Sequence, residues 1–201
     1  MASARDRADP VQIVPLTPER WDDLAGLFGE AGDPKTCWCM WWRVRSKDWS
    51  FAKANETRDS LHRLVDDDRD PAPGLIALRG GRAVGWVGLG PRTDFHRLEH
   101  SRVRPQLDDL PVWSIVCFVV SKTERRRGLT KLLLDAAIAY ATSHGAPGLE
   151  AYPVDPGDSR IPAALGYTGL LSTFEAAGFK VVRQISSPQS SVRRVIVRWG
   201  M

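Results

Sequence analysis

The sequence predicts a mixed α/β fold, in which helices flank one central sheet. Three observations predict it: helix-like and strand-like segments alternate in the second half of the chain, a hairpin pattern precedes them, and no repeat or interdomain linker interrupts their order. A chain of 201 residues buries a sizeable core without disulfides or metals. We expect residues 1–201 to form a single domain, with residues 1–10 as a flexible tail.

The first half of the chain begins with a strand and a helix. Residues 11–16 alternate apolar and polar side chains, as a half-buried strand does. Thr17 is a suitable N-cap and Pro18 is favoured at the first helical position, which predicts a helix to about residue 28. After a loop and an aromatic stretch, good helix formers with apolar residues on one face predict a second helix over 53–67.

A hairpin and the strongest strand of the sequence follow. Residues 75–78 and 83–89 are predicted strands, and the two glycines between them allow a tight turn. Residues 91–105 are polar and rich in arginine. The run PVWSIVCFVV over 111–120 is the most strand-like of all, and we expect it to lie at the centre of the sheet.

The second half alternates helix and strand. Apolar residues at helical spacing predict a long helix over 125–144, which ends at Gly145. A strand is predicted over 149–154. The remaining predicted elements are a helix over 168–177 and strands over 179–185 and 192–199.

Composition and charge exclude several classes of protein. With 43% hydrophobic and 26% charged residues, the chain is neither disordered nor fibrous. The N-terminus lacks the apolar segment of a secretory signal, and no apolar run approaches the ~18 residues that span a bilayer. Three cysteines are too few for a disulfide framework and are typical of a reducing compartment. We therefore expect a cytoplasmic protein without membrane association.

The junction between the strong strand and the long helix has the features of a phosphate site. The first turn of a helix leaves backbone N–H groups without intrahelical partners, and the helix dipole adds positive potential there. Gly128 allows close approach of a phosphate to the backbone. Arg125, Arg126 and Arg127 are unfavourable at a helix N-terminus unless an anion binds. The alternative is a solvated basic helix start.

This junction resembles the coenzyme A pyrophosphate loop of the GNAT superfamily of N-acetyltransferases, which reads R/Q-x-x-G-x-G/A after a central strand. Arg125, Gly128 and Thr130 occupy the three fixed positions, with threonine in place of the last glycine or alanine. The order of elements and the segment FEAAGF over 174–179 are similar as well. The resemblance implies a GNAT-like sheet, with splayed central strands that form the site of acetyl-CoA as co-substrate.

The resemblance also implies roles for the residues of this site. The pantetheine arm is expected to add to Phe118, Val119 and Val120 like an extra strand. A backbone N–H near Val119 is expected to stabilise the oxyanion by about 3 kcal/mol. Phe174 is expected to contact the cofactor. The residues expected to hold the pyrophosphate are Arg125, Arg126, Arg127, Gly128, Leu129 and Thr130.

Two positions depart from the residues that such enzymes often use for proton transfer. Ser114 stands where a carboxylate is common, and Phe174 stands where a tyrosine often protonates the leaving thiolate. Because an amine is protonated at pH 7, a side chain or water must accept its proton. We select Glu150 and Tyr167 as catalytic candidates, since both are expected near the splayed strands. The other candidates, for which a surface or packing role is the alternative, are Tyr152, Asp94, His96, Glu99 and His100.

The aromatic stretch CWCMWWR over 37–43 is expected either to plug the sheet or to form one wall of the acceptor site. Trp38, Trp41 and Trp42 suit an apolar or aromatic acceptor, and Arg43 is able to pair with its carboxylate. We expect no metal, because no further ligands accompany the two thiols of this stretch.

Three functions are compared for this sequence, and the third is a nucleic-acid-binding domain, whose affinity would fall steeply with salt. The first is an N-acetyltransferase that moves an acetyl (acyl) group from acetyl-CoA to the amine of a small molecule or peptide, by direct attack in a ternary complex. The second is a catalytically weak acyl-CoA-binding regulatory module. The net charge of +4 is explained by the arginines at 125–127, so no nucleic acid partner is expected. The basic stretch over 92–104 serves acceptor binding or solubility. A homodimer is left open.

Overall fold

One sheet of eight strands, with helices on both faces, forms the centre of the molecule. The structure is a computed structural model that describes residues 9–30, 34–49, 54–157, 159, 161–185 and 192–200. Most of the tail predicted over 1–10 lies outside these residues. The mixed α/β class predicted from the sequence is confirmed.

The elements are as follows. The strands are β1 (Gln12–Pro15), β2 (Gly74–Arg79), β3 (Arg82–Pro91), β4 (Trp113–Val120), β5 (Leu149–Ala151), β6 (Val154–Asp155), β7 (Lys180–Ile185) and β8 (Arg193–Trp199). The helices are α1 (Trp21–Glu30), α2 (Pro34–Cys37), α3 (Ala54–Asp66), α4 (His96–Glu99), α5 (Leu129–Ser143) and α6 (Leu171–Glu175).

The sheet separates at its centre. Its order is β1-β2-β3-β4-β5-β8-β6, with β7 also paired to β8, and β4 with β5 is the parallel pair. That pairing covers Trp113–Ile115 against Leu149–Ala151, three residues on each side. Beyond Ile115 the two strands are no longer paired to each other, so the carboxyl half of β4 borders an opening in the sheet.

Side-chain alternation on the central strands divides the core into two layers. Ile76 and Val116 belong to the layer beneath α1, α2 and α3. Leu75 and Phe118 belong to the layer beneath α5 and α6. The aromatic stretch over 37–43 packs in the first layer, and the phosphate-loop helix packs on the second.

The predicted elements occur with local differences. A 3₁₀ turn over Pro18–Arg20 precedes α1. The long helix begins at Leu129, because Arg126 and Gly128 have positive φ and do not continue a helix. The strand predicted over 149–154 is two strands, since Pro153 lacks the N–H needed in a continuous ladder. The short helix α4 lies within the segment predicted only as polar.

Candidate active site

The loop between β4 and α5 presents backbone N–H groups at an open surface. Arg126 and Gly128 have φ angles of +60° and +77°. The carbonyl of Gly128 accepts hydrogen bonds from the amides of Lys131 at 3.0 Å and Leu132 at 3.2 Å. The preceding amides of this turn have no partner inside the helix. No atom lies within 4 Å of a Cβ built on Gly128, so an anion is able to reach this turn.

One carboxylate reduces the positive charge of this loop. Glu124 is 4% exposed and accepts hydrogen bonds from Arg79 at 3.3 Å and Arg127 at 3.1 Å. Arg125 and Arg126 have exposed side chains. The cluster of three cations predicted here therefore has one member offset by Glu124, while two arginines and the helix start still favour an anion.

The opening beside β4 is partly closed by the chain itself. The N–H of Phe118 donates to the carbonyl of Tyr167 at 2.7 Å, and the N–H of Val154 donates to the carbonyl of Gly169 at 3.0 Å. Gly169 has a φ of +89°, and a Cβ there would lie 2.7 Å from the ring of Phe174, so glycine is required. The backbone N–H of β4 that was predicted to pair with a pantetheine arm thus has an internal partner.

The backbone of Val119 faces the other neighbour of β4. Ser121 donates its N–H to the carbonyl of Val84 on the β3 side at 2.9 Å, and Val119 lies opposite Trp86. Hydrogen-bonded positions alternate along an antiparallel pair, so Val119, two residues before Ser121, also faces β3. The amide that faces the opening is that of Phe118, and not the one near Val119 that we had predicted.

Phe174 is a fully buried packing residue in this structure. Its ring centroid lies 6.1 Å from that of Phe118 and 5.0 Å from that of Phe179, in edge-to-face contacts. These contacts are of the type that stabilises aromatic clusters. Cofactor contact by Phe174 stays a prediction, and such contact would require the side chain to become accessible.

Glu150 lies fully buried between two arginines. Its Oε1 accepts hydrogen bonds from Arg92 at 3.0 Å and from the hydroxyl of Tyr152 at 2.7 Å. Its Oε2 accepts one from Arg198 at 3.0 Å. The hydroxyls of Tyr152 and Ser114 are 3.1 Å apart, which makes Ser114 part of the same network. With no exposed surface and three donors, Glu150 is poorly placed to take a proton from a substrate.

Arg92 connects Glu150 to the polar segment over 92–104 by hydrogen bonds. Its Nη2 donates to the carbonyls of Leu98 at 2.9 Å and Arg104 at 2.7 Å. Because both carbonyls belong to the segment over 92–104, this one guanidinium fixes the path of the segment. We assign Glu150 a positioning role on this geometry.

A cavity of about 400 Å³ opens beside this segment. Its lining combines three aromatic residues, three arginines, two histidines and two serines. The lining residues are Trp41, Trp42, Tyr167, Arg97, Arg104, Arg194, His96, His100, Ser46 and Ser101. The structure therefore brings Trp41, Trp42 and Tyr167, three of the predicted residues, to one cavity.

Trp38 and Arg43 lie outside this lining. Trp38 is 6% exposed and stacks on Trp21, with 5.7 Å between ring centroids. Arg43 pairs with Asp94 at 3.1 Å and lies 4.5 Å from the ring centroid of Phe95. The aromatic stretch over 37–43 therefore has both expected roles: Trp38 packs in the core, and Trp41 and Trp42 line the cavity. Arg43 is committed to Asp94 and does not face the cavity, which corrects the role predicted for it.

Sequence reasoning missed the arginines of the cavity. Arg97 and Arg104 belong to the basic stretch over 92–104, for which acceptor binding was one of two alternatives. Arg194 lies on β8, about 90 positions later in the chain, and no motif marks it. Distance along the chain hides this convergence, because only the sheet order brings β8 beside the opening.

Two titratable residues of the cavity have pKa values shifted in opposite directions. Burial, together with the positive charges of His100, Arg45 and Arg97, lowers the pKa of His96. Burial raises the pKa of Tyr167 to about 12. At neutral pH His96 is therefore a proton acceptor, and the Tyr167 hydroxyl is a proton donor.

Metal and membrane features were searched over the described part of the chain. Within residues 9–30, 34–49, 54–157, 159, 161–185 and 192–200, no three His, Cys, Asp or Glu side chains are placed to hold a metal ion. In the same ranges, no helix is long and apolar enough to cross a membrane.

The buried sulfurs of Cys39 and Cys117 lie 2.8 Å apart as a thiol contact.

The fold and the site together define an acyltransferase of the kind that takes its acyl group from coenzyme A. A central strand leaves its neighbour, a helix start with exposed arginines follows it, and a cavity of about 400 Å³ lies beside the opening. The model of the acetyltransferase (GNAT) family matches residues 38–163. The chain belongs to this family, whose members generally use acetyl-CoA and transfer acetyl groups.

Solved structures share the fold over almost the whole chain. A GCN5-related N-acetyltransferase from Kribbella flavida has a TM-score of 0.56 at 13% identity and covers 95% of this chain and 98% of its own. A GNAT-family acetyltransferase from Streptococcus pneumoniae has a TM-score of 0.55 at 14% identity, covering 94% and 99%. An N-acetyltransferase from Staphylococcus aureus Mu50 has a TM-score of 0.54 at 14% identity, covering 94% and 98%. At these identities the likeness shows the fold alone. A comparison with curated proteins found no match.

Replacing Gly128 with alanine is expected to weaken acetyl-CoA binding about tenfold, or ~1.4 kcal/mol. Gly145, at the other end of α5, provides a matched control, because it also has a positive φ of +74° and open space around a built Cβ. Both substitutions should cost about 1–2 kcal/mol of stability, from left-handed backbone strain. Calorimetric titration with acetyl-CoA measures the difference. Equal affinities in the two variants would place the phosphates elsewhere.

Replacing Glu150 with glutamine is expected to lower the free energy of unfolding by about 3 kcal/mol, because Arg92 and Arg198 lose their buried charge partner and keep only the partly exposed Glu99 and Asp108. Urea unfolding measures this loss. Glu175→Gln is the control, since Glu175 is exposed on α6 and its loss should change stability by less than about 0.5 kcal/mol. A Glu150→Gln variant with unchanged stability and abolished turnover would contradict the positioning role.

Proposed function

We propose that residues 1–201 form one N-acetyltransferase domain, which moves the acetyl group of acetyl-CoA to the amine of a small molecule or peptide by direct attack in a ternary complex. One observation carries the proposal. The ring of Tyr167 lines the cavity, while its carbonyl accepts a hydrogen bond from Phe118 on β4. The cavity therefore adjoins the strand that leads into the phosphate-binding loop.

The coenzyme side of the proposal uses the start of α5. Acetyl-CoA supplies the activated thioester. The amides around Gly128 and the side chains of Arg125 and Arg126 bind its phosphates, because helix starts and exposed guanidinium groups both favour anions. If the coenzyme accepts a hydrogen bond from the N–H of Phe118, that N–H gives up its bond to the carbonyl of Tyr167. One hydrogen bond replaces another, so the net free-energy cost is small.

The acceptor side of the proposal uses the cavity. His96 takes the proton of the amine as the new C–N bond forms, since its lowered pKa leaves the imidazole neutral at pH 7. The hydroxyl of Tyr167, which keeps its proton at neutral pH, supplies a proton to the departing thiolate. Glu150 acts through Arg92, by holding the segment that carries His96.

The second candidate is the catalytically weak acyl-CoA-binding module. The hydrogen bond between Phe118 and Tyr167 favours it, because this bond occupies the opening where a thioester would lie. Burial of Glu150 favours it as well, because one carboxylate near the opening is unavailable for proton transfer.

Release of coenzyme A thiol over a panel of amines distinguishes the two functions. Acceptor-dependent thiol release, with the acetylated amine identified by mass spectrometry, is expected for the transferase. Calorimetric binding of acetyl-CoA without acceptor-dependent thiol would instead identify the binding module.

The value of kcat/KM is expected to fall as pH drops through the pKa of His96, which lies below the ordinary value of about 6.5. The sign follows from the role: below that pKa the imidazole is protonated and is unable to accept the amine proton. His96→Gln should abolish this fall of kcat/KM at low pH, the acidic limb of the pH profile, and lower the rate by about 100-fold.

Two further variants complete the pH experiment. Tyr167→Phe should lower kcat and leave the limb in place, because a group with a pKa of about 12 does not titrate there. His62→Gln is the control, since His62 stacks on Trp21, away from the cavity. Persistence of the limb in His96→Gln would assign the base to another group.

A further inference from the structure

The cavity carries positive charge without a balancing carboxylate. Arg97, Arg104 and Arg194 line it, and none of its ten lining residues is Asp or Glu. No ion pair joins any of these three arginines to a carboxylate in the part of the chain that the structure describes. Three cations therefore meet at one concave surface with their charge uncompensated.

Arginines elsewhere in the interior have carboxylate partners, so this imbalance is local. The partnered arginines are Arg43 with Asp94 at 3.1 Å, Arg79 with Glu124 at 3.3 Å, Arg92 with Glu150 at 3.0 Å and Arg198 with Glu150 at 3.0 Å. A buried charge without a partner is costly. The three cavity arginines are half-buried, so they carry part of this cost, and an anion from outside the chain would remove it.

Neutral groups hold the cavity arginines in fixed positions. Arg97 donates to the carbonyl of Val44 at 3.1 Å, and Arg194 donates to the carbonyl of Leu165 at 3.0 Å. The guanidinium of Arg104 lies 5.2 Å from the ring centroid of a lining tryptophan. The Nη2 of Arg97 and the Nε of Arg104 are buried without a hydrogen-bond partner. The cations are thus oriented but not neutralised. Unused donors also occur on the carboxylate-paired Arg43, Arg79 and Arg92, so the missing carboxylate is what sets the cavity arginines apart.

The proton affinities of these groups agree with that geometry. Burial lowers the pKa of Arg97, Arg104 and Arg194, as expected for cations with no carboxylate nearby. Arg198 is desolvated as well, but its hydrogen bonds with carboxylates raise its pKa. Arg43 is paired with Asp94 and has a lowered pKa as well, so the lack of a carboxylate partner, and not the pKa, distinguishes the cavity arginines.

We infer that the acceptor amine carries an anionic group, a carboxylate or a phosphate, which the arginines of the cavity bind. The inference rests on the proposed function, since it names the substrate class of the same site. Guanidinium forks match the oxygens of both anions. Trp41 and Trp42 provide a surface for an apolar or aromatic body between the amine and the anion.

Matched amines test this substrate class. One pair is benzylamine with 4-(aminomethyl)benzoate, and the other is tyramine with its O-phosphate; each pair differs in the anion at a distance from the amine. We expect kcat/KM from thiol release to be at least about tenfold higher for an anionic member. The carboxylate and phosphate pairs distinguish the two sources of charge. Equal values within both pairs, or preference for the neutral members, would overturn the inference.

Arginine variants locate the anion site. Arg104→Gln should reduce the ratio of anionic to neutral kcat/KM by about tenfold. Arg102→Gln is the matched control, because Arg102 is exposed, lies two residues away and does not line the cavity. Arg97→Gln and Arg194→Gln are measured as well, so that one unstable variant does not decide the result. An unchanged ratio in all three cavity variants would refute the assignment.

A binding measurement separates this inference from the proposed function. Quenching of tryptophan fluorescence reports each amine at the cavity, with coenzyme A present to fill its own phosphate site. If the anionic amine binds more tightly than its neutral partner and Arg104→Gln removes the difference, the anion site is supported. This holds even if no amine releases thiol, because absence of thiol release would refute only the transferase. Equal affinity for charged and neutral members overturns the anion site, whether or not turnover occurs.

Discussion

The burial of Glu150 is the constraint on which the site depends. A carboxylate with no exposed surface is stable only where hydrogen bonds and opposite charges converge on it. Here Arg92 and Arg198 meet that requirement, from the end of β3 and from β8. Arg92 also donates through Nη2 to the carbonyls of Leu98 and Arg104. The sheet and the cavity wall are therefore joined through one charged side chain.

The separation of β4 from β5 has a second consequence, because it leaves backbone groups of β4 in need of partners. The carbonyl of Tyr167 meets the amide of Phe118, and Gly169 permits the close approach of this segment to Phe174. Buried amides rarely remain unpaired, so some group must occupy that position at all times. In this structure the carbonyl of Tyr167 meets that requirement.

The sequence predicted the elements whose signals are local. The run over 111–120 and the apolar face of α5 depend on near neighbours, and both elements occur. Interruption of the strand over 149–154 was missed, although Pro153 is a local signal for it. The turn between β4 and α5 was predictable from Gly128, since its geometry comes from consecutive residues, and phosphate binding there stays a prediction.

The pairing of charges could not be predicted in the same way. Arg43 and Arg104 look alike in the sequence, yet one is neutralised by Asp94 and the other faces the cavity. Which arginine meets a carboxylate is decided by contacts across the sheet. Glu150 lies on β5 opposite Ser114 of β4, but only the three-dimensional arrangement reveals that two arginines surround it.

The uncompensated charge of the cavity also acts on His96. Arg97 is among the cations that lower its pKa, together with His100 and Arg45, while Asp48 acts in the opposite direction. An anion bound at the arginines offsets part of that positive potential, because Coulomb interactions sum over all nearby charges. In the proposed reaction, an anionic acceptor bound there would raise the proton affinity of His96 as it accepts a proton from the amine. Of the three cavity arginines, Arg97 contributes to the lowered pKa of His96, after burial, His100 and Arg45.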